Sequence, residues 1–185
     1  MSTRRDFLTV ASIVGLEAVA ETVANSAVAD PASERPKEGD VLVSVDAVPP
    51  VALEPKDLPE GGPPMRAWPM DPASNVVRSR SRLNRVVLVR LDPSTLVGPT
   101  KDRAAEGVVA YTAICPHAGC EVSGWQPEQK IFECSCHYSH YNPREGAAVM
   151  GGPATRPLAA LPLKIAEGKL VVAKPFTGRV GIISD

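Results

Sequence analysis

The sequence predicts an all-β fold, a small antiparallel β-sandwich or barrel that carries its chemistry on two loops at one end. Nineteen prolines and 14 glycines punctuate the 185 residues, which favours short strands and irregular loops over long helices. Short β-branched runs recur between these breakers, and two segments rich in cysteine and histidine each follow directly on such a run. An apolar fraction of 44% is that of a globular core, and the length suits one domain plus a short appendage. Twenty basic residues against 21 acidic ones leave no basic footprint, which excludes nucleic acid as a partner.

Residues 1–29 form the appendage. Ser2-Thr-Arg-Arg-Asp-Phe-Leu8 resembles a twin-arginine export signal, which implies passage across the membrane in the folded state. The apolar stretch Phe7 to Leu16 is ten residues long, against roughly 20 for a span, and Ala27-Val-Ala29 reads as a cleavage site. Cleavage after Ala29 leaves 18 basic and 18 acidic residues in a soluble periplasmic domain. The alternative is a retained anchor on the outer side of the inner membrane, with Glu17 and Glu21 facing a partner subunit.

Residues 30–40 read as a polar, proline-broken tether, and 41–185 as the domain. "VLVSV" (41–45) is a first strand. Eight prolines among residues 49–72 exclude a continuous helix or a central strand there and suggest an ordered excursion. "RSRSRLNRVVLVRL" (78–91) ends in a strand, and its alternating arginines predict an edge with one solvated face. The other reading of Arg78, Arg80 and Arg82 is a basic docking patch for an acidic electron partner. Strands are expected at "GVVAYTAI" (107–114) and "KIFEC" (130–134), running into Cys115 and Cys134, and a hairpin turns at Glu167-Gly168 in 162–173.

The four cysteines form two clusters, Cys115-Pro-His117-Ala-Gly-Cys120 and Cys134-Ser-Cys136-His137. Thiolate and imidazole suit iron and zinc alike. A non-redox zinc-binding domain would need one four-ligand centre and leave two cysteines without a role. The order C-x-H-x2-C followed by C-x-C-H resembles the Rieske [2Fe-2S] family, over about Val108 to Ala173 with the cluster-binding part at about 108–160. The resemblance implies a Rieske-type β-sandwich/barrel holding one [2Fe-2S] cluster per chain. It makes Cys115 and Cys134 ligands of one iron and His117 and His137 ligands of the other, with Cys120 and Cys136 a disulfide between the loops. Ser139 and Tyr141 match the hydroxyls that donate to cluster and ligand sulfurs, and Gly151–Leu158 matches the segment that covers the cluster.

Two positions depart from the subunits of cytochrome bc complexes, which typically carry Gly at 138 and Leu at 118. Tyr138 and Ala118 stand here; the bulky aromatic after His137, together with the GxATxPL-like spacing of the cover segment, is similar to the small subunit of arsenite oxidase. The resemblance therefore implies an exported, membrane-associated or soluble electron-transfer protein in which no residue is assigned a catalytic role. It is either the iron-sulfur subunit of a quinol:cytochrome c oxidoreductase-like complex, partnered by cytochrome b or c and quinol, or the electron-relay subunit of an arsenite oxidase-like enzyme with a molybdopterin subunit. His140 reads as a solvated loop histidine rather than a proton relay, and Trp125 and Gln126 as turn packing.

Overall fold

The computed structural model describes residues 30–182; the expected export signal and its cleavage site lie outside the described residues. Within that range the chain forms eleven strands: β1 (Val41–Ser44), β2 (Met65–Asp71), β3 (Val76–Val77), β4 (Val86–Arg90), β5 (Val108–Thr112), β6 (Gly124–Gln126), β7 (Ile131–Cys134), β8 (Ser139–Asn142), β9 (Ala148–Gly151), β10 (Leu163–Ala166) and β11 (Lys169–Val172). One short helix, α1 (Pro99–Arg103), and four single 3₁₀ turns complete it. No helix among the described residues is long and apolar enough to cross a membrane.

Seven strands make one antiparallel sheet in the order β10-β11-β1-β2-β4-β5, with β3 beside β2, and β6-β7-β8-β9 make a second. Strands β4 and β5 separate two cores. Side chains alternate across a strand, so Val87, Val89, Val109 and Tyr111 pack with Phe132 and Tyr141 of the small sheet. Val86, Leu88, Val108 and Ala110 pack on the other face with Leu42, Leu161 and Leu170. All five residues of β5 are buried, which is why that strand reads as a continuous apolar run. The register pairs Ser44 with Ala67, Ala67 with Val86 and Val86 with Thr112, and Cys115 emerges three residues beyond the end of β5. The expected hairpin is present, with Glu167 and Gly168 both at positive φ, as its two-residue turn requires.

Three expectations are corrected. Residues 49–72 do hold a central strand: β2 runs between β1 and β4 although it contains Pro69. The Pro69 carbonyl accepts from the Arg78 N–H at 2.8 Å. Within an antiparallel strand a residue's N–H and C=O face the same side, so the missing donor lies at the junction where the partner of β2 changes from β4 to β3. The arginine-rich run is likewise no edge, because β4 lies inside the sheet.

Arg78 is 2% exposed, which removes it from any docking patch. Its Nε and Nη2 donate to Asp40 at 2.7 and 3.0 Å, and its Nη1 donates to Glu34 at 2.9 Å. The same network also involves the segment expected as a tether. Residues 30–40 lie against the domain, where Asn84 donates to the Glu34 carbonyl and Arg80 pairs with Asp30. Sequence periodicity identifies a charge but not its partner 38 residues away.

Candidate metal centre

The first cysteine segment is the closed tip of a ladder that continues β5. Val122 donates to Ala113, Ile114 bridges Glu121, and Cys115 donates to the Cys120 carbonyl at 2.8 Å. Gly119 closes the turn by donating to the Cys115 carbonyl at 2.9 Å. The second segment is the loop of the β7–β8 hairpin, in which Cys134 faces Ser139 in register. Tyr138 donates to the Cys134 carbonyl at 2.9 Å and takes φ 55°, a left-handed conformation that disfavours a side chain. A glycine would meet no such cost, which gives the departure at this position a physical meaning. The Tyr138 ring is 65% exposed, so packing does not offset the strain.

A disulfide between Cys120 and Cys136 joins the loops, with a Cα separation of 6.5 Å. Cys115 and Cys134 remain as free thiols, each 1% exposed. The sulfurs of Cys120, Cys134 and Cys136 lie within 4.8 Å of one another, yet two of them are bonded together, so only Cys134 of that trio offers a thiolate. His117 and His137 sit exposed at the rim, edge to face with ring centres 4.7 Å apart.

The electrostatics under the rim favour a bound cation. Burial pushes the Cys134 thiol up, and the neighbouring Cys115 thiol adds to the shift. Burial, then Cys115, also raises Tyr141. Two buried thiolates would repel in an apolar pocket unless a positive charge stood between them. The Tyr141 hydroxyl lies 3.1 Å from the Cys115 sulfur. Ser139 is fully buried and its Oγ accepts from the Ala154 N–H at 3.2 Å, which leaves its own proton free to donate. The cover segment touches the second loop directly: a Cβ at Gly152 would come within 2.5 Å of Ser139 Cα and of the Tyr138 carbonyl oxygen.

A model of the Rieske [2Fe-2S] domain matches residues 54–162. The chain belongs to the Rieske [2Fe-2S] family. A Haloferax mediterranei protein, provisionally named as a respiratory nitrate reductase Rieske subunit, is 34% identical over 96% of this chain and 80% of its own length. The Rieske iron-sulfur subunit of the Mycobacterium tuberculosis cytochrome bc1 complex is 31% identical over 74% of this chain and 35% of its own length, so the present chain spans about a third of that relative. Among solved structures, the soluble domain of Rieske protein II from Sulfolobus acidocaldarius aligns with 48% of this chain and 61% of its own at 21% identity and a TM-score of 0.39.

As a Rieske domain the chain binds one [2Fe-2S] cluster and transfers electrons, which removes the zinc reading. Two buried thiols with two imidazoles at the rim suit that group's mixed donor set. His140 requires correction: it is partly exposed but lies in strand β8 rather than a loop, with Nε2 2.8 Å from Glu133 and 3.1 Å from Gln126. Trp125 and Gln126 belong to β6 rather than a turn. Sequence reasoning passed over Glu121, which pairs with Arg85 at 2.5 Å and Arg66 at 3.2 Å. It also passed over the aromatic row Trp125, Phe132 and Tyr141, which the strand registers align across three strands. Nothing local in the sequence marked either feature, since each aromatic of the row lies on a different strand.

Proposed function

We propose that this Rieske domain is the exported electron-transfer subunit of a respiratory complex, with Cys115 and Cys134 holding the inner iron and His117 and His137 the outer one. The observation that carries this is the pair of buried free thiols beneath two exposed histidines, in loops joined by a disulfide. When bound, the [2Fe-2S] cluster supplies one-electron oxidation and reduction. The polypeptide provides the rest. Cys115 and Cys134 anchor the centre out of water, and the Tyr141 and Ser139 hydroxyls stabilise negative charge on sulfur, which raises the potential. His117 and His137 bring the electron exit to the surface, and their ring nitrogens exchange a proton with solvent or substrate.

For the complex, the leading reading is a quinol-oxidising assembly of the type to which the bc1 relatives' names refer, with a cytochrome partner. The second reading is a relay subunit without quinol contact, paired with a molybdopterin subunit. The exposed Tyr138 beside His137 and the small Ala118 beside His117 favour it, and so does the Haloferax relative, which aligns with nearly the whole chain. Purification from native membranes separates the two: a co-purifying cytochrome b supports the first, a molybdopterin subunit the second.

EPR of the reduced protein tests the ligand set. The expected spectrum has an average g below the free-electron value and histidine nitrogen couplings, and a chain that retains zinc and gives no signal would refute it. A midpoint potential that falls with rising pH by about 59 mV per unit indicates coupled proton transfer. Export places the domain in the periplasm, and a mature chain beginning at Asp30 establishes cleavage; recovery of Arg4 in the mature protein establishes the anchor.

A further inference from the structure

We propose that Arg85, Glu121 and Arg82 form a staple that positions the first ligand loop on the large sheet, a role that rests on the assignment of Cys115 and His117 as ligands. Arg85 grips both stems of that loop. Its carbonyl accepts from the Ala113 N–H at 2.9 Å on the incoming stem, and its guanidinium pairs with Glu121 at 2.5 Å on the outgoing stem. The second Glu121 oxygen is held by Arg66, from β2, at 3.2 Å. The guanidinium of Arg85 lies 4.6 Å above the Trp68 ring, which limits its rotation. Arg82 donates to the Gly119 carbonyl at the loop tip, in the peptide whose neighbouring N–H closes the turn onto Cys115.

These contacts do what the disulfide does not. The Cys120–Cys136 bond ties the first loop to the small sheet's hairpin, whereas the arginines tie it to the seven-stranded sheet, so the loop is fixed from both sides. Arg85 Nε is buried without a partner. Arg85 and Arg66 on the single Glu121 carboxylate, with Arg82 at the Gly119 carbonyl, also leave the first loop in a positive field, which favours the reduced centre.

The test uses the purified holoprotein and variants E121Q, R85M, R82Q and the swap R85E/E121R. Iron release to ferrozine, midpoint potential, EPR line shape and melting temperature are measured for each. E121Q and R85M are expected to release iron on the order of tenfold faster with an altered EPR line shape, and the swap is expected to restore the rate to within roughly twofold of the unsubstituted protein. E121Q raises the midpoint potential and R82Q lowers it, opposite signs that general loosening would not produce. Unchanged release and line shape in E121Q and R85M overturn the staple, and so do rates that merely follow melting temperature with no recovery in the swap. If the unsubstituted protein lacks the mixed Cys/His signal, the ligand assignment fails instead. The staple is then judged by amide exchange over residues 113–122, expected to be faster in E121Q; equal exchange overturns it.

Discussion

Tyr141 places its hydroxyl 3.1 Å from the Cys115 sulfur inside a fully buried site. Tyr141→Phe removes one hydrogen bond to a charged acceptor while keeping the ring, a change worth about 1.5–3 kcal/mol. The midpoint potential should therefore drop by roughly 60–120 mV, since about 59 mV corresponds to a tenfold change for one electron, while the EPR ligand signature stays the same. An unchanged potential would show that this hydroxyl does not tune the centre. Tyr138 makes the opposite case. Its left-handed backbone and exposed ring predict that Tyr138→Gly leaves thermal stability unchanged or raises it by about 1 kcal/mol. A clear loss on thermal denaturation would mean that the ring has a packing partner in the folded protein.

Among the elements, the cover segment and the N-terminal segment show how position depends on close approach. Gly152 sits at φ +82°, where an added methyl would meet the backbone of Ser139. Gly152→Ala should lift the cover segment from the second loop and hasten cluster bleaching, followed as loss of visible absorbance during incubation, with secondary structure retained by circular dichroism. Equal bleaching rates would show that the segment shields nothing. Arg78 anchors residues 30–40 through Asp40 and Glu34. Leaving the Asp40 carboxylate without its cation in a buried site costs about 3–5 kcal/mol, so Arg78→Met should lower the denaturant midpoint by a corresponding amount. The strands were legible because alternation and β-branched runs record burial on one or both faces. Pro69 in β2 and Arg78 beside Asp40 were not, because each depends on what stands on a neighbouring strand or a distant segment.

Across the whole molecule, the acid limit of stability follows from four carboxylates. Glu34 lies below its ordinary value through Lys37 first and Arg78 after it. Asp71 is lowered by the Ala73 N–H and Asp92 by Ser94, while Gln126 and then His140 lower Glu133. A carboxylate lowered on folding binds fewer protons folded than unfolded, so its contribution is complete above the unfolded value and drains away as pH falls through the folded one. From starting values of 3.8 for Asp and 4.5 for Glu, these groups should leave the melting temperature level down to about pH 4.5 and depress it below. All four are close to the surface, so high salt should shrink the effect. A profile that rises on acidification through that window would contradict the assignment.

The sequence by itself determined the fold class, the strand run into each cysteine segment and the donor types, because period-2 burial, turn chemistry and ligand spacing are local properties of a chain. Only the tertiary structure decided that Arg78 is buried, that β4 is internal and that Glu121 is held by Arg66 of β2 and by Arg85 just ahead of β4. Those outcomes depend on distances between residues far apart in sequence, and the desolvation and charge pairing that decide them exist only after the sheets have packed.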